Sequence, residues 1–254
     1  MAAPRTCMLV LGTHRSGTSV TTALVQAQGF ELGGPLLHVG DENPLGHFEN
    51  EHVLAMHEQF LQEVGVEWSD LADPMALAGR RRRRAWVEQI GECCTEVARG
   101  ADRFAVKDPR MLLVLPLWRT ALRRQRVDVR ALVTLRHPGA TARSLHARNG
   151  LPLAHAEQIW LRDMRALQAG IGRVPHGVVR YGALVADPVR VLRGGFAAAG
   201  VPWDVAAEGA VRDLVDPALD RSRGEDADAP EAATAFAGVA TLGSVRQWPR
   251  LGRS

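Results

Sequence analysis

The sequence predicts an α/β fold in which a parallel β-sheet carries helices on both of its faces. Three observations support this prediction. Four short runs are nearly continuous in apolar residues, as expected of strands that are buried on both faces. Segments with helical periodicity lie between or after these runs, and a glycine-containing stretch, GTHRSGTS, joins the first run to the first helical segment.

The elements follow in a regular order along the chain. The predicted strands are residues 7–12 (CMLVLG), 104–108 (FAVKD), 129–136 (VRALVTLR) and 177–182 (GVVRYG). The predicted helices are residues 17–29, 48–64, 82–99, 138–149, 154–171 and 187–199. In the third helix Trp86, Ile90 and Val97 recur at helical spacing, and Pro138 is placed to open the fourth helix.

The length of the chain predicts one domain over residues 1–254, since 254 residues can bury a full core. One segment departs from the alternating pattern. Residues 204–238 contain RSRGEDADAPEAATAFAG, which is acidic and rich in alanine and has no sustained period. This composition predicts a mobile surface loop or lid.

Composition argues against several classes of function. The formal net charge is +3, and the basic cluster Arg80–Arg84 precedes a helical pattern, so it indicates a solvated helix start and no nucleic-acid partner. No apolar run approaches the roughly 18 residues that span a membrane, and the N-terminus lacks the features of a secretory signal. Three cysteines without metal-ligand spacing predict free thiols and a cytoplasmic protein with no metal site.

The stretch GTHRSGTS differs from a Walker phosphate loop at one position. Gly12, Gly17 and Ser19 match the Walker pattern, but Thr18 stands where that pattern requires lysine. The stretch lies between a strand and a helix, as a P-loop does. In that position its backbone N–H groups and the N-terminus of the helix point toward one space that is large enough for an anion. Arg15 adds a positive charge, so the loop is predicted to bind phosphate.

At these residues the sequence resembles a known family. THRSGTS resembles the 5′-phosphosulfate loop of sulfotransferases that use 3′-phosphoadenosine 5′-phosphosulfate (PAPS), in which Lys or Arg precedes Ser-Gly-Thr. The resemblance implies transfer of a sulfuryl group from PAPS, with 3′-phosphoadenosine 5′-phosphate (PAP) as the product. The loop residues that it assigns to cofactor binding are His14, Arg15, Ser16, Gly17, Thr18 and Ser19.

A second segment, LRHPGATARS, is similar to the part of these enzymes that binds the 3′-phosphate. The family uses an Arg at the end of a strand and a Ser eight residues later, which correspond here to Arg136 and Ser144. The resemblance therefore implies that both residues bind PAPS. The C-terminal segment could add Arg246 or Arg250 to the same phosphate.

A third segment, VKDPR, looks like the Lys-Asp-Pro motif of tyrosylprotein sulfotransferases and many bacterial relatives, in which the lysine belongs to the active site. Lys107 is the only lysine in a chain that otherwise uses arginine. A compact ammonium donor at this position suggests a geometric requirement, although a strand-end lysine that extends to solvent is the structural alternative. The resemblance implies that Arg15 and Lys107 stabilise the charge that grows on the departing oxygen.

Transfer to a hydroxyl also calls for a general base near the acceptor. Relatives often carry Asn-Pro-x-Gly-x-x-Glu after the first helix, and NPLGHFE fits that pattern with Glu49. Glu49 is the first candidate, followed by His38, His47 and Asp41. The alternative is that Glu49 only favours the start of the next helix.

Two other functions stay open at the level of sequence. A P-loop kinase or nucleoside triphosphatase with an altered Walker loop would require magnesium and ATP, and a non-catalytic nucleotide-binding module would bind the cofactor without transfer. For a sulfotransferase, we expect the acceptor to be a small molecule or carbohydrate. The arginine-rich and alanine-rich composition suggests a bacterial origin and a role in specialised metabolism or glycan tailoring.

Overall fold

A computed structural model describes residues 4–37, 46–215, 230–239 and 243–250. It contains a four-stranded sheet in the order β2-β1-β3-β4, in which all neighbouring strands are parallel. The strands are β1 (Thr6–Leu11), β2 (Arg103–Lys107), β3 (Asp128–Leu135) and β4 (His176–Arg180). The predicted α/β fold is confirmed, and each strand starts within a residue of its predicted position.

Helices occupy most of the remaining described residues. They are α1 (Thr18–Ala27), α2 (Glu51–Glu63), α3 (Pro74–Leu77), α4 (Arg80–Ala98), α5 (Met111–Arg124), α6 (Pro138–Asn149), α7 (Leu153–Gly170), α8 (Tyr181–Ala186), α9 (Pro188–Ala199), α10 (Glu208–Asp213) and α11 (Pro230–Val239). Two short 3-10 helices span Val205–Ala207 and Val245–Gln247.

The sheet separates two layers of core because successive side chains of β1 point to opposite faces. Leu9 and Leu11 lie in the larger apolar cluster, with side chains from α2, α4, α5 and α7. Met8 and Val10 lie in the other cluster, with side chains from α1, α8 and α9. β1 therefore has helices against both faces, which explains why its sequence is a continuous apolar run.

The helix starts follow local sequence signals. Asn50 caps α2, since its side chain accepts hydrogen bonds from the backbone N–H groups of His52 and Val53 at 3.0 and 3.4 Å. Pro138 is the first residue of α6, as predicted. The basic cluster begins α4 directly at Arg80, and its five arginines are largely exposed around that helix start.

Helix α5 was not predicted from the sequence. Its first half, MLLVLP, is continuously apolar and therefore lacks helical periodicity, and Pro116 lies inside the helix. The backbone at Val114 is non-helical, with φ −126° and ψ 16°, because the chain bends just before the proline. Burial on nearly every side explains the missing polar face.

The predicted loop over 204–238 is partly wrong. The described part contains α10 and the first nine residues of α11, and Val211 and Ala232 are fully buried. α11 packs against α6 and α7, and its residues Ala232 and Ala235 are buried. Residues 216–229 lie outside the described residues, and a lid there stays a prediction.

Cys7, Cys93 and Cys94 are free and buried, as predicted. Burial raises the pKa of the Cys93 thiol to about 12. Among the helices of the described residues, none has both the length and the apolar character needed to cross a membrane. The described part of the chain also contains no cluster of three metal-ligating side chains.

Candidate active site

The loop between β1 and α1 requires glycine at two positions. A Cβ at Gly12 would overlap the side chains of Thr134 and Ser16. Gly17 has a φ of +94°, and a Cβ there would overlap the ring of Tyr181. Arg15 also has a positive φ, 63°, so the loop turns sharply before the N-terminus of α1. The loop backbone therefore comes close to neighbouring elements and directs the start of α1 at the carboxyl edge of the sheet.

Ser16 braces this loop from inside. Its hydroxyl donates to the backbone oxygen of Thr13 at 2.7 Å and lies 2.9 Å from the Thr134 hydroxyl. Thr134 in turn donates to the backbone oxygen of Leu11 at 3.1 Å. Ser16 is only 1% exposed, and its hydroxyl is used in these contacts within the protein. Any contact from Ser16 to a ligand would have to come from its backbone.

Arg15, Arg136 and Ser144 meet beside the loop. Arg15 Nε donates to Ser144 Oγ at 2.9 Å, and Arg136 Nη1 donates to the backbone oxygen of Arg15 at 2.8 Å. The guanidinium carbon of Arg136 lies 4.7 Å from the ring centroid of Tyr181. Arg136 and Ser144, which lie more than 120 positions after Arg15 in sequence, thus contact the loop in space. We call Arg15, Arg136, Ser144 and Tyr181 the arginine cluster.

Lys107 forms a second cluster at the end of β2. Its Nζ donates to Glu49 Oε1 at 2.5 Å, to the backbone oxygen of His47 at 2.9 Å and to Ser19 Oγ at 3.3 Å. The lysine is only 3% exposed, so the structural alternative of a strand-end lysine extended to solvent is excluded. We call Lys107, Glu49 and Ser19 the lysine cluster. It joins the first turn of α1 to the segment before α2.

Arg110 extends the lysine cluster and was missed at the level of sequence. Its Nη1 lies 3.8 Å from Glu49 Oε2 and 3.2 Å from Asp108 Oδ1. Asp108 Oδ1 also accepts a 2.8 Å hydrogen bond from the backbone N–H of Arg110. The available signal was its position directly after Lys-Asp-Pro. The turn between β2 and α5 thus places both Lys107 and Arg110 beside the carboxylate of Glu49.

A buried histidine supports that turn from the core side. His57 Nδ1 lies 3.1 Å from Asp108 Oδ2, and His57 Nε2 accepts a 2.8 Å hydrogen bond from Trp118 Nε1. Burial alone would raise the pKa of Asp108, but the adjacent His57 and Arg110 side chains outweigh it and hold that pKa well below its usual range. Asp108 therefore stays ionised at neutral pH and holds Arg110 in place.

His14 lies on the other side of the loop. The residue is partly exposed, but its Nε2 atom is buried and has no hydrogen-bond partner among the described residues. Burial lowers the pKa of His14 well below its usual range. The positive charges of Arg110, Lys107 and Arg162 lower it further, against the opposing charge of Asp108. The ring is therefore neutral at neutral pH and lies in a positive field.

Trp68 shields the ring of His14, with 4.4 Å between the ring centroids. The backbone oxygen of Trp68 accepts a 2.8 Å hydrogen bond from Arg162 Nη1. Arg162 Nη2 also donates to Asp163 Oδ1 at 2.6 Å, and Asp163 Oδ2 accepts from Thr13 Oγ1 at 2.5 Å. Polar contacts of α7 thus tie the segment that carries Trp68 to the beginning of the loop.

The remaining candidates divide into three groups. His38 and Asp41 lie outside the described residues. His47 contributes its backbone oxygen to Lys107 and to Ser19 Oγ. Arg246, which could have added to the 3′-phosphate site, donates instead to the backbone oxygens of Gly172 and Val174, just before the amino end of β4. Arg136 follows the carboxyl end of β3, at the opposite edge of the parallel sheet.

The depressed pKa of His14 predicts a dependence of stability on pH. In the unfolded chain His14 takes up a proton near pH 6.5, whereas the folded protein resists it until lower pH. The unfolded state then binds more protons, so the free energy of unfolding falls as pH falls below about 6.5, by at most about 1.4 kcal/mol per pH unit for one proton. We expect His14→Gln to lose less stability than the wild type between pH 7 and 5 in urea denaturation. Equal slopes in the two proteins would contradict this assignment.

The parallel sheet, the glycine loop and the arginine and lysine clusters at its carboxyl edge define an α/β protein with a candidate anion-binding site. The chain belongs to the sulfotransferase family, whose sequence model matches residues 8–205. This match confirms the family that the motifs GTHRSGTS and LRHPGATARS predicted. It covers the loop and both clusters and ends before α10.

Solved sulfotransferases are also similar to the chain. The sulfotransferase domain from the Synechococcus PCC 7002 olefin synthase is 22% identical, with a TM-score of 0.53 over 93% of this chain and 96% of that chain. The sulfotransferase domain from the curacin biosynthetic pathway is 19% identical, with a TM-score of 0.46 over 92% and 83%. Sulfotransferase STF1 from Mycobacterium tuberculosis H37Rv is 17% identical, with a TM-score of 0.45 over 83% and 71%. The first of these supports the fold. No curated protein matches the chain.

Proposed function

We propose that the protein transfers the sulfuryl group of PAPS to a hydroxyl or amine of a small-molecule or carbohydrate acceptor. The observation that carries this proposal is the position of two cationic clusters against one phosphate-type loop. Arg15 of the loop reaches Ser144, and Ser19 of the same loop reaches Lys107. One cluster suits a bound phosphate and the other suits a reacting centre, which is what a donor with two separated anionic groups requires.

The residues of the loop fit the 5′-phosphosulfate of the donor. The buried, unpartnered Nε2 of His14 lies in the positive field of Lys107 and Arg110, where an anionic oxygen would be stabilised. The N-terminus of α1, from Gly17 and Thr18 onward, offers backbone N–H groups to the same anion. We assign His14, Arg15, Ser16, Gly17, Thr18 and Ser19 to donor binding, with Ser16 acting through the loop backbone.

The arginine cluster fits the 3′-phosphate. Arg136 presents a guanidinium that is held by the Arg15 backbone and the Tyr181 ring, and Ser144 adds a hydroxyl. A guanidinium recognises a phosphate through two parallel hydrogen bonds. We therefore assign Arg136 and Ser144 to the 3′-phosphate, which distinguishes PAPS from ATP.

The lysine cluster fits the reacting centre. PAPS supplies a sulfuryl group on a phosphate leaving group. Glu49 accepts the proton of the acceptor hydroxyl as the new bond from oxygen to sulfur forms and the bond from sulfur to the phosphate oxygen breaks. Lys107 and Arg15 stabilise the electron pair that leaves on PAP, a role that metal ions fill in kinases. Buried free thiols fit a reducing compartment, and we place the reaction in the cytoplasm.

Calorimetric titration with PAP tests the cofactor. We expect PAP to bind without added metal and at least about 100-fold more tightly than ADP, because charge-assisted bonds to the 3′-phosphate contribute about 3 kcal/mol. Magnesium-ATP is the control ligand. Preference for magnesium-ATP would replace this proposal with an altered Walker loop of a kinase or triphosphatase. PAP binding without label transfer from PAPS to any acceptor would indicate a nucleotide-binding module.

A further inference from the structure

A cavity of about 470 Å³ lies between the end of α2 and the segment that carries Trp68. It is lined by Glu58, Leu61, Val66, Glu67, Trp68 and Arg110, together with Gln62 and Gly65. A cavity of this size holds a small organic molecule. None of the residues assigned above to the donor lines it.

Two side chains that line this cavity also lie beside residues of the proposed reacting centre and donor site. Arg110 lines the cavity, and its guanidinium lies 3.8 Å from Glu49 Oε2. Trp68 also lines it, with its ring centroid 4.4 Å from that of His14 in the phosphate loop. The cavity therefore adjoins both the proposed proton acceptor and the proposed donor site.

Arg110 and Trp68 are held in place by contacts outside the cavity. Arg110 is fixed by the ionised Asp108 in the turn after β2. Trp68 is fixed through its backbone oxygen, which accepts from Arg162, and through packing against the apolar cluster of Ala142, Leu145 and Ala156. The cavity is thus preformed on the side that faces the site, which favours a defined ligand.

The charge of the cavity is negative at its outer side. Arg110 is 12% exposed, and Asp108 and Glu49 already offset its charge from within. Glu58 has a 59% exposed side chain and lies 3.3 Å from Arg110, and Glu67 is exposed. The lining therefore carries two carboxylates and one guanidinium, and the charge of that guanidinium is also shared with the interior. This arrangement attracts a cation and repels an anion.

The inner lining is apolar and includes one flat surface. Leu61 is buried, Val66 is partly buried, and Trp68 is the aromatic residue among those that line the cavity. Such a lining suits a planar apolar body, and aromatic faces also attract cations.

We propose that this cavity binds the acceptor, and that the acceptor is a hydroxyl compound with a flat apolar body and a positively charged amine. The inference rests on the proposed sulfotransfer, because the hydroxyl is placed toward Glu49. The amine lies toward Glu58 and Glu67, and the apolar body lies along Trp68. The substrate class is thereby narrowed from small molecules or carbohydrates in general to aromatic hydroxyl compounds that carry a protonated alkylamine.

Three phenols that share a ring and a hydroxyl test the charge preference: tyramine (cation), 4-ethylphenol (neutral) and 4-hydroxyphenylacetate (anion). Binding is measured by ligand-observed NMR with and without PAP, and transfer from PAPS is measured by mass spectrometry of the sulfated phenol. At pH 7.5 we expect tyramine to bind at least about tenfold more tightly than 4-hydroxyphenylacetate, and to show the highest kcat/KM of the three.

The double variant Glu58→Gln/Glu67→Gln is expected to reduce this preference to about threefold or less, since it removes the attracting charges. Glu88→Gln/Glu92→Gln, an equal change of charge on exposed side chains of α4 outside the cavity, should keep the full preference. An unchanged preference in the double variant would overturn the proposal, as would absence of tyramine binding in a protein that binds PAP. Failure to bind PAP would instead overturn the proposed function, and tyramine binding would still report on the cavity.

Discussion

Replacement of Lys107 by methionine is expected to lower kcat for sulfuryl transfer by about 10³-fold, the loss typical of a missing donor at a site of developing charge. Lys107 is the only lysine of the chain and is 3% exposed. Methionine keeps a similar volume but donates no hydrogen bond. The affinity for PAP, measured by calorimetry, should change much less, because the arginine cluster lies on the other side of the loop.

The same substitution has a second consequence, for stability. It leaves the Glu49 carboxylate, whose side chain is 10% exposed, with the more distant guanidinium of Arg110 at 3.8 Å. Breaking a buried ion pair by removal of one partner costs about 3 kcal/mol or more. We expect the double variant Lys107→Met/Glu49→Gln to regain part of this loss in denaturant unfolding, because the uncompensated charge is then gone.

Lys107→Arg separates charge from shape. Arginine keeps the positive charge, but its planar guanidinium cannot present three donors to Ser19, His47 and Glu49 from one nitrogen. We expect turnover to stay well below that of the wild type. Near-normal kcat in Lys107→Arg would mean that only the charge matters, and near-normal kcat in Lys107→Met would remove Lys107 from the reaction.

The strands and the loop could be predicted from sequence because their signals are local. A strand buried on both faces is a continuous apolar run, and β1, from Thr6 to Leu11, is such a run. The glycines of the loop report close backbone approach, which the structure shows against Thr134 and Tyr181. Since parallel strands end at one edge of the sheet, the positions of Lys107 and Arg136 at two strand ends already placed both residues near the loop.

Other site residues could not be found because their signals depend on tertiary contacts. Trp68 lies in a segment without periodicity, and only its packing on His14 shows that it borders the loop. His57 lies on the apolar face of α2 between Met56 and Phe60, where a buried histidine calls for a polar partner. The sequence shows that a partner is needed, but it does not show that the partner is Asp108.

The assignment of the arginine cluster to the 3′-phosphate is tested most directly at Arg136. Arg136→Met should weaken PAP binding by about 100-fold, because a charge-assisted bidentate contact to phosphate contributes about 3 kcal/mol. ADP lacks the 3′-phosphate, so its affinity should fall by far less. The loss for ADP measures the second contact of Arg136, the 2.8 Å hydrogen bond to the backbone oxygen of Arg15 that shapes the loop.

Ser144→Ala is the matched control in the arginine cluster. The hydroxyl accepts from Arg15 Nε at 2.9 Å and carries no charge, so we expect a smaller loss of PAP affinity, about tenfold. Calorimetry of both variants with both nucleotides distinguishes two roles of Arg136. Selective loss for PAP means that Arg136 recognises the 3′-phosphate directly. Equal losses for PAP and ADP would mean that it acts through the backbone of Arg15, and the 3′-phosphate would then require another cation.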